Sequence, residues 1–386
     1  MRVFLIAGEA SGDKLGAALM SGLKQLTTPD FSGVGGPLMQ AEGMDSLFPM
    51  DELSIMGLAE VLPKYMHLKR RIAQTAAAVI AARPDVLVTI DSPDFCLRVA
   101  KLVKAQSDIR TVHYVAPSVW AWRPGRAAKM ARVIDHVLAL LPFEPPYMEA
   151  AGMDCDFVGH PVVAEPQATE AEAQAFRARH GIGEAPLLLA LPGSRRGEVA
   201  RLAPRFGQAL ARVMQTRPDL RIVLPTTPNV TDLVQNLVGE WPVAPIVLDP
   251  RNMNNDAYAA EKRSAFRAAE IALAASGTVS LELAAADTPM VIAYDMNPLS
   301  RFLIGRMLRI DTVTLVNLVS ETRAVPECLG RNCNPGAIAA ALDKVMRAPD
   351  AQMEAMRLTM ERLGKGGTPP GLRAAQAILH RLSRPV

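Results

Sequence analysis

The feature that most restricts the fold is a rhythm of short apolar runs and longer helical stretches that plays through twice. Apolar runs occur at Val3–Ala7, Val86–Ile90, Thr111–Val115, His136–Leu141 and Phe157–Val158. A second series follows at Leu187–Leu191, Ile222–Leu224, Ile246–Leu248, Ile271–Ala275 and Met290–Tyr294. Between them lie helical patterns such as Lys14–Leu26, Met66–Ala82, Ala168–His180, Ala200–Thr216, Ala257–Ala269 and Val279–Ala286. Runs that are apolar on both faces, each followed by a helix, belong to parallel sheets. The series restarts after Pro161–Pro166, which sets a domain boundary near Val163–Thr169. The expectation is an α/β chain of two doubly wound, Rossmann-like parallel-sheet domains facing a cleft, residues 1–165 and 166–370. A length of 386 residues agrees with two domains at roughly 150 residues each. In such sheets ligands bind beyond the carboxyl ends of strands, so the residues after each run are where chemistry is sought.

Composition removes several classes. Apolar residues are 49% and charged residues 21%, which excludes a disordered chain. A net charge of +3 is too even for bulk attraction to nucleic acid, and 5% aromatics make no stacking platform for bases. Cys96, Cys155, Cys328 and Cys333 form neither a disulfide framework nor a zinc set, and they read as packing residues or free thiols. The start Met1–Ala7 reads as a first strand and not a signal peptide, and no apolar stretch approaches the ~18 residues of a spanning helix. The expected location is the cytoplasm.

Several loops carry candidate chemistry. Gly8-Glu9-Ala10-Ser11-Gly12-Asp13-Lys14 suits a tight strand–helix turn with Ser11 as the cap; it is neither a Walker A loop nor Gly-x-Gly-x-x-Gly. Gly33-Val34-Gly35-Gly36-Pro37 is a second glycine cluster of the same ambiguity. Asp91 ends an apolar run, as a general base or as a helix cap, and Asp94 reads as a cap. Trp120, Trp122 and Arg123 either line a sugar, acyl or phosphate site or form a buried staple. In the second half, Ser194 and Arg195 offer amides and a permanent cation to an anion such as a diphosphate. Ser276, Gly277 and Thr278 repeat the arrangement, and Glu282 lies one helical turn on, suited to a ribose diol or to a first-turn acid. Together the two loops point to a nucleoside diphosphate. His160 lines the site or serves as a structural hydrogen-bonding residue at the junction.

The segment Ile55–Ala82 sets Met56, Leu62 and Met66 beside Lys64, Lys69, Arg70 and Arg71. That is either an interfacial helix on anionic lipid or a buried amphipathic helix with a solvated basic end. Leu299–Arg309 is a second apolar–basic segment, and both could instead line a cleft for acyl chains and a phosphate.

Taken together, these motifs resemble the lipid-A-disaccharide synthase family nearly end to end. The strings are Gly8–Asp13, Val34-Gly35-Gly36-Pro37, Met56-Gly57 with Glu60-Val61-Leu62, Asp91-x-Pro93-Asp94-Phe95, Pro117–Arg123, Pro142-Phe143-Glu144, Gly159-His160, Leu191–Arg195, Ser276-Gly277-Thr278 with Glu282, and Asn317. The resemblance implies a GT-B fold and an inverting transfer without metal or cofactor. It implies UDP-2,3-diacylglucosamine as donor and 2,3-diacylglucosamine 1-phosphate as acceptor, giving a β(1→6) disaccharide and UDP. It implies that residues 1–165 take the acceptor and the membrane, with Asp91 as base and Glu9 as a further catalytic candidate. Residues 166–370 would hold UDP through Ser194, Arg195, Ser276–Thr278 and Glu282, with Asn317 near the donor; Val316 stands where the family usually has Pro. Ser11, Trp120, Arg123 and His160 would line the substrate site, and residues 371–386 would return to the first domain. Acylated substrates imply peripheral attachment to the cytoplasmic face of the inner membrane. The sequence leaves oligomeric state open, a homodimer included.

Overall fold

The computed structural model describes residues 1–53, 58–296 and 309–383, except for the side chains of 58–65. The chain divides into two compact units, Met1–Ala164 with Leu363–Val386, and Glu165–Arg362, each built on a six-stranded parallel sheet. In the first unit the strands are β1 (Arg2–Ala7), β2 (Asp30–Val34), β3 (Val86–Ile90), β4 (Arg110–Tyr114), β5 (His136–Ala139) and β6 (Asp154–Phe157), ordered β2-β1-β3-β4-β5-β6. Alternation along β1 explains its continuous apolar run. Val3, Leu5 and Ala7 enter one core with Leu15 and Leu19 of helix Ala10–Leu26. Phe4 and Ile6 enter the other core with Val79 of helix Leu58–Ala82 and Val99 of helix Pro93–Lys104. A strand covered on both faces has no solvated side on which polar residues would be favoured.

The second unit holds β7 (Leu187–Leu191), β8 (Arg221–Pro225), β9 (Ile246–Leu248), β10 (Ile271–Ala274), β11 (Met290–Tyr294) and β12 (Glu327–Leu329), ordered β12-β11-β10-β7-β8-β9. Strand order changes direction between β1 and β3 in the first sheet and between β7 and β10 in the second. Those switch points are where open α/β sheets receive ligands.

Three edge strands depart from the apolar-run expectation. β2 and β12 were not among the runs, and the sixth strand is Asp154–Phe157 instead of Phe157–Val158. One face of β6 carries Asp154 and Asp156, both half-buried. Arg110 and Arg381 bind Asp154 at 2.6 and 2.9 Å, and Asp156 meets Arg381 at 3.0 Å and the His136 ring at 2.9 Å. Arg381 lies on helix Pro370–Leu382, which packs along helix Ala10–Leu26. That approach requires glycine: a Cβ on Gly22 would fall 2.6 Å from the Gly371 carbonyl oxygen. The first unit resumes at Leu363, whose carbonyl accepts from the His160 N–H at 3.2 Å, ahead of residue 371. All four cysteines are buried and none forms a disulfide. No helix among the described residues is long and apolar enough to cross a membrane.

Candidate active site

In the first unit, a cavity of about 370 Å³ opens at the carboxyl ends of β3 and β4, lined among others by Asp91, Asp94, His113, Val115, Arg126 and Lys129. The backbone there is unusual. Asp91 (φ 50°), Ser92 (φ 41°) and Val115 (φ 87°) all sit in the left-handed region. For a β-branched valine this is an outlier, and such residues cluster where a site over-determines the backbone. The Asp91 N–H still donates to the Tyr114 carbonyl at 3.0 Å, so sheet pairing continues one residue past β3 before the chain turns. Asp91 is half-buried. Asp94 is exposed in the first turn of helix Pro93–Lys104 and is not its cap, which is Ser92. Gly8 lets the first loop touch this turn, since a Cβ there would lie 2.5 Å from Ser92 Oγ. Glu9, half-buried, occupies the cap position of helix Ala10–Leu26.

Ser11 is not the cap expected of it; it is exposed within the first turn. The capping residue the sequence hid is Asp13. Buried, it accepts from the Gly36, Leu38 and Met39 N–H groups at 2.9, 3.0 and 3.0 Å and so joins the two glycine clusters.

Trp120 has the contacts of a loop staple. Its indole N–H donates to Glu144 Oε1 at 3.3 Å, and its ring meets Phe143 edge-on at 5.1 Å. Glu144 is buried and also accepts from the Leu140 and Leu141 N–H groups. Burial pushes its carboxyl up to about 7, against those hydrogen bonds. Arg123 is exposed, with its guanidinium 4.3 Å over the Trp122 ring. Neither Trp120 nor Arg123 lines the cavity. His160 Nδ1 accepts from the Val162 N–H at 3.2 Å.

In the second unit, a cavity of about 540 Å³ lies at the carboxyl ends of β7, β8 and β10. It brings together Ser194, Arg195, Ser276, Gly277, Thr278 and Glu282. Gly193 turns the loop at φ 112°, and its missing Cβ leaves room for Glu198, which a Cβ would approach to 2.8 Å. Glu198 accepts from Arg195 at 3.3 Å, while Arg195 remains 70% exposed and able to reach a ligand. No side chain caps helix Arg196–Met214 at Arg195, which leaves its first amides open to an anion. Asn229 donates to the Ser194 carbonyl at 2.9 Å and props the loop. Glu282 does not stand alone. Lys262 meets it at 2.6 Å and lies 5.1 Å over the Phe266 ring, so the cavity offers a donor beside the acceptor. Lys262 and Asn229 escaped the sequence reading because no spacing links them to the loops they serve.

Asn317 does not line this cavity. It is buried, its Nδ2 donates to Thr312 Oγ1 (3.2 Å) and the Val325 carbonyl (2.9 Å), and its Oδ1 accepts from the Val325 N–H (2.9 Å). Its amide braces its own loop, with both Nδ2 protons donated and Oδ1 accepting once.

Of the apolar–basic stretch, Met56 lies outside the described residues, as do 299–308 and the side chains of Leu62 and Lys64. Met66 is 69% exposed, and Lys69 and Arg70 are exposed. Arg71 is half-buried: it grips both Glu52 oxygens at 2.7 Å and stacks 4.4 Å over Phe48. That ion pair holds the Glu52 carboxyl below its usual range. Among the described residues, no three His, Cys, Asp or Glu side chains gather as a metal site.

Two Rossmann-like units, each with a polar cavity at its strand ends, define a two-domain α/β enzyme of the GT-B class. A solved UDP-GlcNAc 2-epimerase from Neisseria meningitidis bound to UDP-GlcNAc shares this fold, with a TM-score of 0.66 over 99% of each chain at 12% identity. The family model for lipid-A-disaccharide synthetase matches residues 3–368. A lipid-A-disaccharide synthase from Ruegeria pomeroyi is 70% identical over 99% of this chain and 96% of its own length. One from Rhodospirillum centenum is 48% identical over 100% and 95%. The chain belongs to the lipid-A-disaccharide synthase family, and is a glycosyltransferase of lipid A disaccharide synthesis.

Proposed function

We propose that this chain transfers 2,3-diacylglucosamine from its UDP derivative to the 6-hydroxyl of 2,3-diacylglucosamine 1-phosphate. The products are the β(1→6) disaccharide and UDP. In this reading the first unit's cavity takes the acceptor and the second unit's cavity takes the nucleotide. Asp91 accepts the proton of the 6-hydroxyl as that oxygen bonds to the donor's anomeric carbon. The bond from that carbon to the diphosphate breaks, and UDP leaves with the electron pair; attack from the opposite side inverts the centre. Arg195 and the amides and hydroxyls of Ser194 and Ser276–Thr278 meet the charge that develops on UDP. Glu282, with Lys262 beside it, suits the ribose hydroxyls. Arg126 and Lys129, across the cavity that Asp91 lines, suit the acceptor phosphate.

The observation that carries this reading is the Asp91–Ser92 turn, two consecutive left-handed non-glycine residues opening on a cavity that also holds two cations. Strain of this kind costs roughly 1–3 kcal/mol per residue and persists where it aims a group at a ligand. The test supplies UDP-diacylglucosamine with and without the acylated acceptor and measures UDP release. Acceptor-dependent release with disaccharide formation is expected. Release that ignores the acceptor, as an epimerase-like enzyme would give, or no release, as a lipid-binding protein would give, overturns it. Exposed Met66, Lys69 and Arg70, on a chain whose substrates carry acyl groups, support peripheral binding to the cytoplasmic face of the inner membrane.

A further inference from the structure

We infer that His113 is a second hydrogen-bond acceptor in the Asp91 cavity and receives the acceptor sugar's 4-hydroxyl, which leaves the 6-hydroxyl facing Asp91. This inference rests on reading that cavity as the acceptor site. His113 sits on β4, opposite Thr89 of β3 in the sheet register. It is 2% exposed, and its Nδ1 lies 2.7 Å from Thr89 Oγ1. The Thr89 hydroxyl has one proton, and the Val112 carbonyl, which can only accept, lies 3.1 Å away. If the hydroxyl donates there, Nδ1 carries the ring proton and donates to Thr89, which satisfies both contacts and leaves Nε2 as a bare lone pair. Burial holds the imidazole down at about 4, so the ring is neutral at neutral pH.

Nε2 has no hydrogen-bond partner among the described residues, yet it is not sealed from solvent. His113 lines the cavity with Asp91, Arg126 and Lys129, and in this inference Nε2 is the atom that faces it. In this reading the cavity presents Nε2 beside the Asp91 and Asp94 carboxylates, with Arg126 and Lys129 as its cations. An acceptor acylated at positions 2 and 3 and phosphorylated at position 1 keeps two free hydroxyls, one on ring carbon 4 and one on the exocyclic carbon 6, and one phosphate. Asp91 and Nε2 suffice for the two hydroxyls, and Arg126 and Lys129 for the phosphate. A bare Nε2 covered by a bound sugar without a donor would carry an uncompensated desolvation cost, so a hydroxyl is the group this position selects.

The experiment measures kcat/KM for wild type, His113→Phe and His113→Gln with the full acceptor and with its 4-deoxy analogue. Wild type should lose about tenfold on the deoxy sugar. His113→Phe should show that loss already with the full acceptor and little more with the deoxy sugar. His113→Gln, whose Oε1 can stand near the Nε2 position, should recover much of it, with UDP binding unchanged throughout. A deoxy penalty of equal size in wild type and His113→Phe, or none in wild type, overturns the assignment. Should His113→Phe fail to fold, nitrogen NMR of the wild type decides. An unprotonated Nε2 signal that moves when acceptor binds supports the inference; a protonated Nε2, or one indifferent to acceptor, overturns it. Wild type that forms no disaccharide from the full acceptor defeats the acceptor-site reading and this inference with it, whereas normal transfer without coupling defeats only the role of His113.

Discussion

The two units share a sheet plan but build their cavities differently. The first unit's cavity sits on three left-handed non-glycine residues, and a buried histidine forms part of its wall. The second relies on glycine to turn its loop, at Gly193, and on a long exposed cation, Arg195. A proton acceptor must stand within hydrogen-bond reach of one oxygen, which favours an over-determined backbone. A diphosphate is large and charged, and a flexible guanidinium among open amides can follow it.

The sharpest break of this comparison is Asp91→Asn. Removing the general base should lower kcat by about 10²–10⁴ while UDP binding by titration stays at wild type. Retained turnover would strip the strained turn of its purpose. Next is Arg195→Ala, which should weaken UDP binding by about ten- to hundredfold, the worth of a charge-assisted hydrogen bond, with little change in acceptor KM. If acceptor KM moved instead, the division of labour between the units would be wrong.

Central strands were legible because both their faces are buried, as β3 illustrates with Val86–Ile90 wholly buried. The edge strands β2, β6 and β12 were not, because acids break their apolar runs: Asp30 is exposed, Asp154 is answered by Arg381, and Glu327 by the Val313 and Thr314 N–H groups. The nucleotide loops were legible for a related reason: Ser194, Arg195, Ser276, Gly277 and Thr278 follow strands directly, and parallel strands bring their carboxyl ends together. What could not be read was which polar residue answers which. Nothing in the spacing tells that Lys262 meets Glu282, that Glu144 takes the Trp120 indole, or that Asn317 is consumed by Val325. Those pairings depend on tertiary placement, and they give Trp120, Asn317 and Arg71 protein partners that spacing does not reveal.

Glu144 offers a test of how rigid the first unit is. Its carboxyl, ordinarily near 4.5, is raised to about 7 by burial. Between those values the folded chain holds a proton that the unfolded chain has lost, so the Glu144 contribution favours folding at low pH and fades as pH rises. Glu144→Gln should remove that slope, a difference on the order of 1 kcal/mol per pH unit within the window, read from denaturant unfolding of both proteins at each pH. Asp156 works in the opposite sense. His136 and Arg381 hold its carboxyl below the usual range, so its contribution is lost on acidification. The comparison must therefore be variant against wild type at matched pH. An unchanged slope would mean that the Trp120 staple gives way when Glu144 ionises, and that this unit is less fixed than its backbone indicates.

The smallest expected effect asks whether the first unit also carries the membrane contact. Lys69 and Arg70 are exposed on helix Leu58–Ala82, while Arg71 one residue on is clamped by Glu52. A basic residue near an anionic surface contributes about 1 kcal/mol, so Lys69→Gln or Arg70→Gln should each weaken binding to anionic vesicles about fivefold. Arg71→Gln should weaken it less, because the guanidinium already answers a carboxylate, but it should lower thermal stability by leaving Glu52 with the His67 ring alone. Equal losses for all three would point to diffuse charge. A loss confined to Arg71→Gln would mean that the Glu52 clamp opens at the membrane, and would move the lipid contact from the exposed face of the helix to the edge that packs on Phe48.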